Sequence, residues 1–273
     1  MATQLDAGQA VRGELVADGA RLATLCSGDT TAPPVLLVPG YTGSKEDFAP
    51  LLDPLADAGL RAVAIDLPGQ FESPGLPPGS AYGVADLAAV VRAAGAALGP
   101  RVRLLGHSFG GLVCRAATIA APQQVESLVL LSSGPAELGG ARRALIELLE
   151  PVLAEGGLPG VYAALQSVSA VEPGTPPELL TFLERRFVTG DPAMLSGMGS
   201  ALRAEPDRVA ELAATGVPVL VVHGADDDAW PPAAQQDMAR RLGARYEVVP
   251  GAAHSAAVEN PTALLRHLTD FWR

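Results

Sequence analysis

Ser108 stands between Gly106 and Gly110 in Gly-His-Ser-Phe-Gly, where the apolar run 102–106 gives way to a helical pattern over 109–120. Small residues on both sides of a serine let a strand and a helix approach closely while the hydroxyl projects above a sheet, the arrangement of a nucleophile elbow. Read otherwise, the glycines serve only a close-packed turn. A dinucleotide-binding fingerprint needs a different glycine spacing and follows the first strand of a fold, not a late one. A serine hydroxyl is a weak nucleophile until a base takes its proton as it attacks. Imidazole is the usual base, and a carboxylate is needed to fix its tautomer and stabilise the imidazolium. The chain offers four histidines, His107, His223, His254 and His267, and a run of three aspartates, Asp226, Asp227 and Asp228.

Those groups lie far apart in sequence, so a framework must gather them. "VRGELVADGARLATLC" reads as two strands around a tight Asp18-Gly19 turn, since glycine supplies the positive φ of short hairpins. "VLLVPG", "RAVAID", "VRLLG", "VESLVLLSS", "VPVLVVHG" and "ARYEVVPG" are short continuous apolar runs, as expected of strands covered on both faces. Helical patterns over 48–58, 81–98, 109–120, 232–242 and 261–272 alternate with them. The expected fold class is therefore α/β: a mostly parallel sheet with helices on both faces.

Residues 134–206 break the rhythm. They hold no good strand but several amphipathic pieces, "ARRALIELLEPVL", "GVYAALQSV", "PELLTFLERRF" and "AMLSGMGSALRA", separated by Pro and Gly. The expectation is a core of 1–133 and 207–273 with 134–206 inserted as a helical lid over the carboxyl ends of the strands, where open α/β sheets bind ligands. The alternative is an excursion of surface helices.

Composition narrows the partners. With 19 basic against 30 acidic residues the formal charge is −11, without a basic cluster, which argues against nucleic acid or an anionic membrane surface. No run approaches the ~18 apolar residues of a membrane span, and "MATQLDAGQAVRGEL" shows no signal-peptide pattern, so the expected location is cytoplasmic. Cys26 and Cys114 are far apart among apolar neighbours and read as small buried hydrophobes. No zinc spacing occurs, so neither metal nor cofactor is expected. Lysine appears once, at Lys45, which leaves little room for lysine chemistry.

The chain resembles the α/β-hydrolase superfamily, in particular its lidded single-domain serine hydrolases. The matching segments are "LLVPGYTGS", "AIDLPGQFESPG", "GHSFGG", "HGADDDAWPP" and "GAAHS", five motifs in the right order across almost the whole chain. The resemblance implies an eight-stranded sheet and a triad in the order nucleophile, acid, base, with Ser108 as nucleophile. His254 lies on the turn "PGAAHS" beyond a strand's end and is the expected base. His107 sits beside the nucleophile with its side chain pointing elsewhere, His223 ends a buried strand, and His267 falls on the terminal amphipathic helix. In the family pattern the acid stands four residues before the proline that opens the next helix; Pro231 thus selects Asp227, with Asp226 as fallback and Asp228 facing solvent or capping that helix. The implied oxyanion donors are the backbone N–H groups of Phe109, after the nucleophile, and Tyr41, after "VPG".

The chain departs from the family's usual residues in two places. Pro39-Gly40 stands where His-Gly is frequent, and Gln70-Phe71 where Gly-His-Gly is common. The Tyr41 phenol could pack, reach the oxyanion or shape the pocket. A serine rather than an aspartate nucleophile disfavours dehalogenase and epoxide-hydrolase chemistry. The implied activity is hydrolysis of a small apolar carboxylic ester through an acyl-serine. Trp230, beside the acid loop, either lines the substrate cavity or belongs to the core. Thioester, lactone or C–C cleavage and perhydrolysis use the same triad. A non-catalytic ligand cage is the third possibility.

Overall fold

In the computed structural model, residues 4–168 and 174–273 are described; residues 1–3 of the expected core and 169–173 of the expected lid lie outside the described residues. The chain opens with β1 (Val11–Ala17) and β2 (Ala20–Ser27), paired so that Ala17 faces Ala20. Asp18 and Gly19 both take positive φ, 49° and 81°, the two-residue turn whose twist matches that of the flanking strands. Then follow β3 (Pro34–Val38), α1 (Ala49–Asp57), β4 (Arg61–Ile65), α2 (Val84–Leu98), β5 (Val102–His107), α3 (Phe109–Ala120) and β6 (Val125–Leu131). Next come α4 (Gly140–Val168), α5 (Pro177–Val188), α6 (Pro192–Leu202) and α7 (Val209–Ala214), then β7 (Val219–Gly224), α8 (Pro232–Leu242), β8 (Arg245–Val249), α9 (Ala256–Glu259) and α10 (Pro261–Trp272).

The strands form one sheet in the order β1-β2-β4-β3-β5-β6-β7-β8, antiparallel at β1/β2 and β2/β4 and parallel elsewhere. Because side chains alternate across a strand, each central strand feeds two cores. Leu36, Leu104, Leu128, Leu130 and Val221 pack with α2 and α3 on one face. Leu37, Leu105, Val129, Leu131 and Val222 pack with α1 and α10 on the other. The continuous apolar runs of the sequence reflect that double burial.

Between β6 and β7 the structure has helices, as the 134–206 pattern predicts. α4 is broken at Gly157, whose φ of 60° ends one arm and starts the next, matching the two separate amphipathic pieces. Leu158, Val161 and Leu195 form a small cluster of their own. Two short helices, α7 and α9, were not legible as periodic patterns. Nor was the role of Arg115, buried on α3. Its guanidinium donates to the carbonyls of Gly134 and Pro135 (3.3 and 2.5 Å), to Glu205 Oε1 (2.8 Å) and to the Pro206 carbonyl (3.4 Å). One side chain thus ties together the two ends of the 134–206 segment, just after β6 and just before α7.

Candidate active site

Ser108 joins β5 to α3 with φ 54° and ψ −118°, a backbone state that costs a non-glycine residue about 1–3 kcal/mol and persists only where the surroundings enforce it. The enforcement is visible. Its N–H donates to the Leu131 carbonyl (2.8 Å), and its own carbonyl accepts from Ser133 Oγ (2.8 Å). A Cβ on Gly106 would collide with the backbone of Gly110, and one on Gly110 with the carbonyls of Val38 and Pro39. The two glycines of the motif are therefore required by contact, and the strand-to-helix turn carries the strained serine of an elbow.

His254 lies between β8 and α9. Its Nδ1 donates to Asp227 Oδ1 at 2.9 Å, which leaves Nε2 as the nitrogen able to accept a proton. Asp227 is buried. Its Oδ1 also accepts from the Ala229 N–H (3.0 Å), and its Oδ2 accepts from Gln235 Nε2 (3.0 Å). Burial alone would raise this carboxyl, but the hydrogen bond and charge of His254, with the Ala229 and Gln235 donors, outweigh it and hold the group down to about 2. Of the three aspartates, Asp227 is the one bonded to the imidazole; Asp228 pairs with Arg142 at 2.6 Å in the solvent, and Asp226 is exposed.

The other histidines are accounted for. His223 donates from Nδ1 to the Gly224 carbonyl (2.7 Å) and accepts the Tyr246 hydroxyl at Nε2 (2.7 Å), a satisfied core histidine. His267 pairs with Glu247 at 3.2 Å near the surface. His107 has a role that sequence reasoning missed: its Nε2 donates to the His254 backbone carbonyl at 2.8 Å, and the two rings lie 4.9 Å apart. Desolvation first, and the charge of His254 second, push His107 down to about 4. A neutral imidazole with its proton on Nε2 thus ties the His254 loop to the elbow.

Tyr41 follows β3. A Cβ on Gly40 would lie 3.2 Å from Ser108 Cβ, so the turn passes against the nucleophile. Neither the Tyr41 nor the Phe109 N–H has a hydrogen-bond partner among the described residues. The Tyr41 phenol donates to the Leu195 carbonyl of α6 (2.8 Å). Its burial raises the phenol above the ordinary tyrosine range. The hydrogen bond holds the phenol against α6.

One cavity of about 500 Å³ brings these groups together: Gly40, Tyr41, His107, Ser108 and His254 line it on the sheet side. Leu145, Leu149, Leu153, Leu183, Phe187 and Leu195 line the helical side. Trp230 is a correction. It does not line the cavity; its indole packs against Gly134 and donates to the carbonyls of Ala136 and Glu137 (3.2 and 3.3 Å). Lys45 is buried in a charge cluster with Asp66, Glu72 and Glu46 at 2.8, 2.7 and 3.1 Å, beneath this turn.

Such a site can activate a hydroxyl beside two unpartnered N–H donors. Residues 35–267 match the model of the alpha/beta hydrolase family. The chain belongs to that family. It is a serine-hydrolase-type enzyme of the α/β-hydrolase fold. A protein of Variovorax paradoxus (strain S110), provisionally named carbamate hydrolase RutD, is 32% identical over 87% of this chain and 90% of its own. One of Bacillus subtilis (strain 168), provisionally named 2-succinyl-6-hydroxy-2,4-cyclohexadiene-1-carboxylate synthase, is 27% identical over 94% and 96%. The enol-lactonase structure from Burkholderia xenovorans LB400 superposes with a TM-score of 0.80 at 22% identity, covering 95% of this chain and 99% of the other. Among the described residues no helix is long and apolar enough to cross a membrane.

Proposed function

We propose that this hydrolase cleaves a small apolar carboxylic ester through an acyl-serine intermediate. The observation that carries the reading is the 2.9 Å His254–Asp227 hydrogen bond, at the rim of the cavity where Ser108 sits. Ser108 Oγ attacks the ester carbonyl as His254 Nε2 takes its proton; Asp227 holds the imidazole in the Nδ1–H tautomer and stabilises it once charged. The tetrahedral oxyanion is stabilised by the N–H groups of Tyr41 and Phe109. Collapse expels the alcohol, which receives the proton from His254. Water then attacks the acyl-serine by the same steps and releases the acid. Residues 134–206 act as the lid, pinned at both ends by Arg115, and their leucines wall an acyl pocket whose size lies within the ~300–1,000 Å³ of small-molecule sites.

The test is a series of p-nitrophenyl esters of graded chain length, run beside acyl thioesters and lactones. The expected result is fastest turnover on a short to medium apolar ester and a loss of about 10⁴-fold or more in Ser108→Ala. Unchanged turnover in Ser108→Ala overturns the acyl-serine reading, and a thioester or lactone outrunning every ester overturns the substrate class.

A further inference from the structure

We propose that Gln70 is the positioning residue of the oxyanion turn, a role that rests on the acyl-serine reading above. Gln70 is buried, 2% exposed, between β4 and α2. Its Nε2 donates to the Gly40 carbonyl at 2.7 Å and to the Tyr41 carbonyl at 3.3 Å; its Oε1 accepts from the Leu67 N–H at 3.0 Å. The partners fix which way round the carboxamide lies, because a carbonyl only accepts and an N–H only donates.

The geometry matters because the Gly40 carbonyl and the Tyr41 N–H belong to one planar peptide unit. A donor held on that oxygen sets the plane, and so sets the direction of the N–H on the opposite edge. It also polarises the unit, since hydrogen bonds in a chain strengthen one another. The Gly43 N–H closes the same turn onto the Gly40 carbonyl at 3.2 Å, but that bond comes from within the turn and moves with it. Gln70 anchors it from outside, and Leu67 in turn anchors Gln70. On the far side the Tyr41 phenol is bonded to the Leu195 carbonyl, so the residue bearing the donor is held at its peptide from the sheet and at its ring from α6. The residue that departs from Gly-His-Gly thus aims a backbone donor.

Gln70→Glu tests this, because the change is nearly isosteric and swaps the amide donor for a carboxyl. When ionised, the introduced carboxylate repels both carbonyls; when protonated, it can again donate to the Gly40 oxygen. The expected result is a kcat about 10- to 100-fold below wild type at alkaline pH, part of the ~10²–10³ that loss of one oxyanion donor costs, with KM within about threefold. The kcat ratio of variant to wild type should climb as pH falls. Affinity for an alkyl boronic acid, which forms a tetrahedral adduct on the serine, should weaken by the same factor as kcat. A merely structural glutamine would not match the loss in boronate affinity to the loss in kcat at near-constant KM. Gln70→Met, which keeps the bulk and removes the donor, should show the same kcat loss without recovery, and serves equally if Gln70→Glu does not fold. Wild-type kcat in either folded variant, or a ratio flat with pH in folded Gln70→Glu, overturns the proposal. Ser108→Ala run alongside separates the two failures: if it stays active the acyl-serine reading has failed, and if it is dead while Gln70 variants are unimpaired only the positioning role has.

Discussion

On the sheet side of the cavity, a Cβ added at Gly106, Gly110 or Gly224 would run into backbone atoms; on the helical side, Gly139, Gly156 and Gly174 face open space, and close packing occurs on α6, where a Cβ at Gly197 would meet the Ala81 carbonyl. Central strands are buried along nearly their whole length, whereas α5 has no buried residue. Buried or half-buried hydrogen bonds hold the sheet side: Ser133 to the Ser108 carbonyl, Gln235 to Asp227, His107 to the His254 carbonyl, Gln70 to Gly40. The helical side presents leucines to the cavity together with Arg142, Glu150 and Arg186, the last paired with Asp47 at 2.6 Å. Reacting groups need positions fixed to a fraction of an ångström, while an apolar pocket wall needs only bulk and shape. The two sides differ as those tasks differ.

The largest effect expected on the sheet side is in Asp227→Asn. The amide cannot stabilise a charged imidazole and favours the wrong tautomer, so kcat should drop by about 10⁴-fold with the fold retained; a loss under tenfold in ester turnover would move the acid elsewhere. Gly110→Ala comes next. The new methyl meets the carbonyls of Val38 and Pro39, neither of which is a flexible side chain, and the cost should be about 3 kcal/mol in denaturant unfolding. Below that lies a pH effect. The His107 imidazole, at about 4 in the folded protein, lies below the ~6.5 of an unfolded chain. Between those values the unfolded state takes up the proton that the folded state refuses, so stability falls as pH drops from ~6.5 to about 4. His107→Gln, which still carries a donor for the His254 carbonyl, should flatten that part of the stability–pH curve. The smallest effect belongs to the helical side: Gly156→Ala should raise stability by about 0.5–1 kcal/mol through helix propensity alone. A loss there comparable to that of Gly110→Ala would erase the contrast.

The legible parts of the molecule are those fixed by local pattern. Phe109–Ala120, Pro232–Leu242 and Pro261–Trp272 appear with the bounds expected from periodicity; Ser108 and His254 stand on turns after strands, whereas Asp227 was singled out from its neighbours only through the family pattern that the resemblance supplies, and the structure bonds that aspartate to His254. What escaped depends on where side chains point across long separations. Gln70 meets a carbonyl thirty residues away, and His107 one that is 147 residues away; nothing in either local sequence names those partners. Trp230 shows the converse. Standing beside the acid loop suggested the cavity, yet its neighbour Ala229 faces the cavity while the indole turns toward Gly134. Proximity in sequence does not say which side of the backbone a ring takes.

The most direct measurement is covalent labelling of the native protein by an alkyl fluorophosphonate, with the modified peptide identified by mass spectrometry. A hydroxyl activated by His254 and Asp227 should give a single adduct, on Ser108, which disappears in urea-unfolded protein and in Ser108→Ala. Folded protein that stays unlabelled, or carries the adduct on another residue, would contradict the nucleophile assigned here.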